Sequence, residues 1–92
     1  MDLRQLGYFL SIAEHGGFAA AARARFVSQS ALSRQVQLLE EEIGTRLLDR
    51  SSRGVALTHA GEILRERARL LFEEITHIKE DVLAQAETPS GP

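Results

Sequence analysis

The sequence has no cysteine and no tryptophan, and only two prolines and one tyrosine among its 92 residues. The absence of cysteine excludes disulfides, thiolate metal sites and cysteine nucleophiles, and it fits a reducing compartment. No apolar run approaches the ~20 residues of a bilayer-spanning helix, and the first residues lack the charged-then-apolar pattern of a secretion leader. We therefore expect a cytoplasmic protein without a membrane partner.

The charge is distributed unevenly along the chain. The net charge is −2, but residues 1–58 carry seven basic against six acidic residues, whereas residues 59–92 carry four against seven. The arginines of the first part form two groups, one in a stretch without acidic residues and one beside a single aspartate: Arg23, Arg25 and Arg34, then Arg46, Arg50 and Arg53. This distribution predicts two basic patches on an acidic body, which leaves a polyanionic partner possible.

The stretch from Ser28 to Gly44 predicts an amphipathic helix with well-defined ends. Ser28 is a suitable N-cap because its hydroxyl can accept a bond from a first-turn N–H, and Gly44 can take the left-handed conformation that ends a helix. At 100° per residue, the apolar and polar side chains fall on opposite sides. The apolar side is predicted to be core and the polar side exposed: Leu32, Val36, Leu39 and Ile43 against Ser30, Ser33, Arg34 and Gln37.

Two shorter helices precede this one. Residues 2–15 predict the first, and Gly16 with Gly17 ends it. An alanine-rich second helix covers residues 18–25, and residues 26–27 connect it to Ser28. The first helix has an apolar stripe of Leu3, Leu6, Leu10 and Ala13, widened by Phe9. Two short helices joined by about three residues, the second one amphipathic, are typical of a helix-turn-helix.

Residues 46–58 predict a small two-stranded hairpin, which we call the wing. Two short apolar pieces flank a turn-rich segment, in which Gly54 can supply a positive φ and Arg53 lies at the tip. Thr58 is then predicted to cap a long helix that ends near Ala86. The chain thus divides into a winged helix-turn-helix domain (1–58), a linker or dimerisation helix (59–87) and a proline-containing hinge or linker tail (88–92).

Six apolar residues of the long helix follow each other in alternating four- and three-residue steps, the pattern of a coiled coil. We call them the a/d row: Leu64, Ala68, Leu71, Ile75, Ile78 and Val82. Such a row needs a partner helix, which favours a dimer interface, and folding back onto its own domain is the alternative. Ile63 and Leu70 lie off the row and are predicted to tie the helix to the small domain.

The polar side of the 28–43 helix carries the groups that the major groove of DNA can bind. That groove admits one α-helix, whose N-terminal side chains reach the base edges. Gln29 can pair with adenine, and Arg34 with guanine or a phosphate. The candidate base contacts are Gln29, Ser30, Ala31, Ser33 and Arg34, the candidate phosphate contacts are Ser28, Gln37, Arg50 and Ser52, and the candidate minor-groove contact is Arg53.

Other interpretations of the same residues remain open. The polar side could be an ordinary solvated surface, although the flanking helix, the glycine stop and the basic hairpin favour DNA binding. The long helix could be the functional surface of a protein-interaction module. A small enzyme finds little support, because His15, His59 and His77 are scattered and the sequence lacks a carboxylate pair and a glycine-rich phosphate loop.

Residues spaced from Leu3 to about Val82 form a recognisable set: Phe18, Ala21-Ala22, Val27-Ser28-Gln29, Ala31-Leu32-Ser33-Arg34, Leu39-Glu40, Ile43-Gly44, Leu47-Leu48, Arg50, Arg53-Gly54, Leu57-Thr58 and Ala60-Gly61. This set resembles the N-terminal DNA-binding domain of LysR-type transcriptional regulators. The resemblance implies a mostly α winged helix-turn-helix that dimerises through antiparallel linker helices. It also implies promoter DNA as the partner and a homotetramer for the full-length protein.

The resemblance also implies a ligand-sensing domain that is absent from this chain, so that a small-molecule effector would bind there and no cofactor is expected here. Gln29, Ser33, Arg34 and Arg53 are the positions that it implies as DNA contacts. Arg25 departs from the family's usual leucine, which weakens the expected core packing of the second helix. Phe26 is the neighbour expected to compensate.

Overall fold

Four helices and one hairpin follow each other in the computed structural model, which describes residues 1–51 and 53–87. The elements are α1 (Leu3–His15), α2 (Phe18–Arg25), α3 (Gln29–Ile43), β1 (Leu48–Ser51), β2 (Gly54–Leu57) and α4 (His59–Glu87). The predicted winged helix-turn-helix with a long last helix is confirmed. None of the described helices is long and apolar enough to span a bilayer. The predicted hinge at 88–92 lies outside the described residues.

Local side-chain caps and glycines set the ends of the first and third helices. The carboxylate of Asp2 accepts a hydrogen bond from the Gln5 N–H at 2.7 Å, and the hydroxyl of Ser28 accepts one from the Ala31 N–H at 3.0 Å. Gly44 has a φ of 85° and ends α3 with a backbone bond to the Glu40 carbonyl. The predicted boundaries of α3 are therefore confirmed.

The core lies where α1, α2 and α3 meet the start of the wing. Its largest fully buried side chains are Phe9, Ile12, Leu32, Val36, Leu39 and Leu47. The buried side of α1 is centred on Phe9 and Ile12. Leu3, the first member of the predicted apolar stripe, is 49% exposed. Four other elements, α2, α3, β2 and α4, contact α1, and their positions decide which side of the helix is buried. The spacing of apolar residues in the sequence does not encode these positions. Ile43, also predicted as core, is 40% exposed in the last turn of α3.

The wing is a two-stranded antiparallel hairpin in which Leu48 pairs with Leu57 and Ser51 with Gly54. It is fixed to α3 by the carboxylate of Glu40, which accepts hydrogen bonds from the Leu47 N–H at 2.7 Å and the Leu48 N–H at 3.2 Å. In the sequence, Glu40 is one of three consecutive glutamates, and nothing in the pattern indicates that its carboxylate binds the N–H groups of the wing.

The start of α4 is bound to the same hairpin. The hydroxyl of Thr58 accepts the N–H of Gly61 at 3.0 Å and donates to the carbonyl of Arg46 at 2.7 Å, while the Thr58 N–H donates to the Leu47 carbonyl. Thr58 is thus the predicted cap of α4 and also the residue that holds the base of the wing. Gly61 is buried against the Leu47 carbonyl.

Only the first turns of α4 pack against the domain. Ala68 is 2% exposed and Leu64 is partly buried against the core, so the small domain already covers much of both side chains, and their contact with a second copy stays a prediction. Ile63 and Leu70, predicted to tie the helix down, are 54% and 44% exposed. The reason is that the small domain packs on one side of the first turns of α4, and Ile63 and Leu70 lie off that side. With 13 residues, α1 is too short to reach the second half of a 29-residue helix.

Replacement of Gly61 by alanine should destabilise the domain. An added Cβ would lie 2.1 Å from the Leu47 carbonyl oxygen, closer than any real contact, so the hairpin and α4 would have to separate. We expect a loss of about 1–3 kcal/mol in the free energy of unfolding, although alanine favours helices. Chemical denaturation followed by circular dichroism measures it.

Gly17→Ala is the matched control, because a Cβ there meets nothing within 4 Å and the φ of 179° is extended. Its effect should stay below about 1 kcal/mol. A Gly61→Ala protein as stable as the unsubstituted chain would contradict the close approach of α4 to the wing.

Candidate nucleic-acid interface

The N-terminal half of α3 presents a polar surface to solvent. The candidate base and phosphate contacts on this helix and its cap are exposed, except for Ser33, which is half-buried: Ser28, Gln29, Ser30, Ala31, Arg34 and Gln37. The opposite side of the helix is fully buried at Leu32, Val36 and Leu39. The core therefore fixes which side of α3 faces outward, and that side carries hydroxyl, amide and guanidinium groups.

Charge favours a phosphate at the same end of the helix. The first turn of α3 contains no acidic residue, and its free N–H groups carry the positive end of the helix dipole. The exposed Glu41 and Glu42 lie at the other end of the helix, about 20 Å away.

Outside this surface, on α4, the hydrogen bond and charge of Arg69 lower the pKa of Glu66. Within residues 1–51 and 53–87, no group of three possible metal ligands is formed.

Arg50 joins the wing to both helices of the helix-turn-helix. Its guanidinium carbon lies 4.1 Å from the centre of the Phe18 ring, and its Nη2 donates to the hydroxyl oxygen of Ser33 at 3.0 Å. Arg50 is on β1, Phe18 begins α2 and Ser33 is on α3. A candidate phosphate contact and a candidate base contact are thus in direct contact, which the sequence pattern did not predict.

The tip of the wing presents Arg53 to solvent. Its backbone N–H donates to the Ser51 hydroxyl at 3.2 Å, and Gly54, which follows it, has a φ of 116° that favours glycine. The exposed position predicted for Arg53 is confirmed, and its contact with DNA stays a prediction. The other wing candidate, Ser52, lies outside the described residues.

Arg25 binds within the protein, although its position suggested a residue that weakens the core. Its Nε donates to the hydroxyl of Ser11 at 2.6 Å, its Nη2 donates to the carbonyl of Gly7 at 2.7 Å, and its guanidinium lies 5.9 Å from the Tyr8 ring centre. These contacts join α2 to α1. Phe26 does not compensate as expected, because its left-handed φ of 57° turns the chain after α2 and leaves the side chain 96% exposed.

Comparison with known proteins places this geometry in a family. A family described as bacterial regulatory helix-turn-helix protein, lysR family, matches residues 3–62. The chain is 46% identical over all 92 residues to a hydrogen peroxide-inducible genes activator of Pectobacterium carotovorum, and it covers 30% of that protein. It is 45% identical over the same 92 residues to the regulator OxyR of Escherichia coli, of which it also covers 30%.

Two solved structures with the same fold are complexes with DNA. A crystal structure of a CbnR_DBD–DNA complex superposes with a TM-score of 0.86 at 44% identity, over 95% of this chain and 100% of that one. A complex of BenM_DBD with catB site 1 DNA superposes with a TM-score of 0.90 at 36% identity, over 96% of this chain and 99% of that one. These chains correspond to the present one almost from end to end.

Removal of the Arg25 side chain should destabilise the fold. In Arg25→Ala the buried hydroxyl of Ser11 and the carbonyl of Gly7 lose a charged donor, which costs about 1–2 kcal/mol in the free energy of unfolding. Arg23→Ala, on the same helix and also exposed, is the control and should change stability by less than about 0.5 kcal/mol. Equal stabilities of the two variants in denaturant titrations would show that Arg25 contributes no more than a surface arginine.

Proposed function

The chain belongs to the lysR family of bacterial regulatory helix-turn-helix proteins, and from this premise we propose that it binds double-stranded DNA in a sequence-specific manner as part of a transcription regulator. The observation that carries the proposal is the exposed polar side of α3 beside the arginines of the wing. The fold supports it as well, since the related DNA-binding domains that superpose on this chain were crystallised with DNA.

In this proposal α3 enters the major groove with its N-terminus first. The side chains of the first two turns contact base edges, the cap and the wing contact phosphates, and the wing tip enters the minor groove. The base contacts are Gln29, Ser30, Ala31, Ser33 and Arg34, the phosphate contacts are Ser28, Gln37, Arg50 and Ser52, and the minor-groove contact is Arg53. The core supports the orientation, because the buried side of α3 cannot turn outward without unfolding the domain.

The assembly that we propose is a homodimer formed by α4. From the middle of α4 to its C-terminal part, the helix exposes four apolar side chains to solvent. We call them the exposed a/d row: Leu71, Ile75, Ile78 and Val82. Single exposed apolar residues are ordinary, but four in coiled-coil register along one helix side are typical of a helix–helix contact. The excess of acidic residues in α4 disfavours DNA as the partner of this row. A second copy of the same chain would offer an identical apolar row, so we take it as the partner.

An antiparallel arrangement also accounts for the exposed apolar residues near the start of α4. A pair of helices crossing between Leu71 and Ile75 brings Val82 of one copy to the level of Ile63 of the other, because both lie about ten residues from the crossing. There an apolar groove is lined by Ile43, Leu47, Ile63 and Leu64. The second copy would fill this groove. The two α3 helices should then be about 34 Å apart, or the duplex must bend.

The remaining parts of the proposal concern the whole protein. The chain covers 30% of its first curated relatives, so a small-molecule effector would bind in a ligand-sensing domain beyond it, and no cofactor is needed in this part. A tetramer of the full-length protein and a cytoplasmic location belong to the same proposal. A function as a protein-interaction module, with α4 as the active surface, is the alternative that the exposed a/d row favours.

Replacement of Arg34 by alanine should weaken binding to the duplex that the unsubstituted chain selects from a random pool. We expect a loss of about 1–3 kcal/mol together with relaxed preference at one base pair if Arg34 binds guanine. If it binds only phosphate, affinity should fall evenly for all sequences and the salt dependence should flatten by about one charge. Fluorescence anisotropy titrations at several salt concentrations measure both.

Arg23→Ala serves as the control, because Arg23 is an exposed arginine of α2 outside the proposed contacts. Unchanged affinity and salt dependence in Arg34→Ala would remove Arg34 from the interface. A chain that selects no duplex, with association that does not respond to salt, would instead support the protein-interaction module.

The substitution Val82→Asp should dissociate the dimer, because it places an unpaired carboxylate in an apolar helix contact. Sedimentation velocity should show a shift from dimer to monomer. Ala84→Asp introduces the same charge about 200° around the helix and should leave the dimer intact. A Val82→Asp protein that sediments as a dimer, like the control, would place the dimer contact on another surface.

A further inference from the structure

The contact of Arg50 with Phe18 and Ser33 does more than hold the wing in place. We call these three residues the Arg50 bridge. The guanidinium is a donor without acceptor capacity, whereas a serine hydroxyl has one proton to donate and oxygen lone pairs to accept. Because Arg50 Nη2 donates to the Ser33 oxygen at 3.0 Å, one of the two acceptor lone pairs is occupied, and the hydroxyl proton is left to donate.

The hydroxyl proton of Ser33 is available to a ligand. In the described part of the chain, Arg50 is the hydrogen-bond partner of this hydroxyl and no acceptor takes its proton. Ser33 is half-buried on the polar side of α3, between the exposed side chains of Ser30 and Arg34. A group that approaches this side of α3 therefore meets Ser33 as a donor.

Phe18 restricts where the guanidinium of Arg50 can lie. The guanidinium carbon lies 4.1 Å from the ring centre, within the range of a stacked cation–π contact. The ring comes from the first turn of α2, and the arginine comes from β1, opposite Val55. A lysine would keep the charge of Arg50 but could not stack in the same way or present several donors from one plane.

We propose that Phe18 is a positioning residue for DNA recognition, and that through Arg50 it fixes Ser33 as a hydrogen-bond donor toward the DNA. The proposal rests on the proposed DNA-binding function. A donor at this position favours acceptors such as purine N7, guanine O6, thymine O4 or a phosphate oxygen. It disfavours the cytosine N4 amino group, which is itself a donor. The bridge thus biases the Ser33 hydroxyl toward donating, although one of its two lone pairs stays free.

The test begins with the 92-residue chain and a pool of duplexes with a random central sequence. Phe18→Leu keeps an apolar side chain but removes the ring, and Phe18→Tyr keeps the ring. We expect Phe18→Leu to bind the selected duplex about 3–10-fold more weakly and to accept cytosine at one position where the unsubstituted chain rejects it. Phe18→Tyr should retain both the affinity and the preference. Arg50→Lys should behave like Phe18→Leu.

The double variant Phe18→Leu/Ser33→Ala separates positioning from a general structural effect. If Phe18 acts through Ser33, its replacement should change affinity and preference little once the hydroxyl is gone. A loss of the same size in both backgrounds, equal for all duplexes, would show a merely structural role and overturn the proposal. The melting temperature of each variant shows whether it is folded.

A measurement without DNA tests the bridge itself. Side-chain NMR signals of Arg50 should be shifted upfield by the Phe18 ring in the free chain, retained in Phe18→Tyr and lost in Phe18→Leu. Absence of this shift in the unsubstituted chain would overturn the proposal. If the chain binds its selected duplex and Phe18→Leu binds it with the same affinity and preference, the positioning role is wrong and the DNA-binding function stands. If no duplex is selected, both are wrong.

Discussion

Burial of one side of α3 is the constraint on which the rest of the structure depends. Leu32, Val36 and Leu39 have no exposed surface, and each contributes a favourable free energy of about 1.5–3 kcal/mol by leaving water. Because these three residues fix the rotation of the helix about its axis, the hydroxyl, amide and guanidinium groups between them must face outward. The exposure of the polar side of α3 is therefore a consequence of the core.

The arginines of the small domain differ in what they contact, and this difference explains why net charge describes the surface poorly. Arg25 is engaged by Ser11 and Gly7, so it joins two helices. Arg50 is held between an aromatic ring and a hydroxyl, with other N–H groups left over for a phosphate. Arg34 and Arg53 are exposed. An anionic duplex would thus meet a few oriented cations at one end of an acidic molecule, which favours one direction of approach.

The sequence predicts the parts of this fold that are determined locally. The caps Ser28 and Thr58 and the stop at Gly44 act within a few residues, and the structure has all three where the pattern places them. The errors concern contacts between distant segments. Ile63 and Leu70, predicted to tie α4 to the domain, are exposed, whereas Ala68 is buried, because the packing of distant elements decides which side of α4 is covered. The roles of Glu40 and Arg50 were missed for the same reason, since their partners lie on other elements.

The direct attachment of α4 to the wing gives the long helix a mechanical role. The cap of Thr58 and the close approach of Gly61 to Leu47 leave little freedom between the helix and the hairpin. In a dimer joined by α4, each winged unit would therefore move with its helix as one lever. A change of about 10° in the angle at which the two helices cross turns each helix by about 5°, which over an arm of ~20 Å would displace each unit by about 2 Å. A signal that alters this angle could thus change the spacing between two DNA half-sites without altering any side chain that touches the duplex.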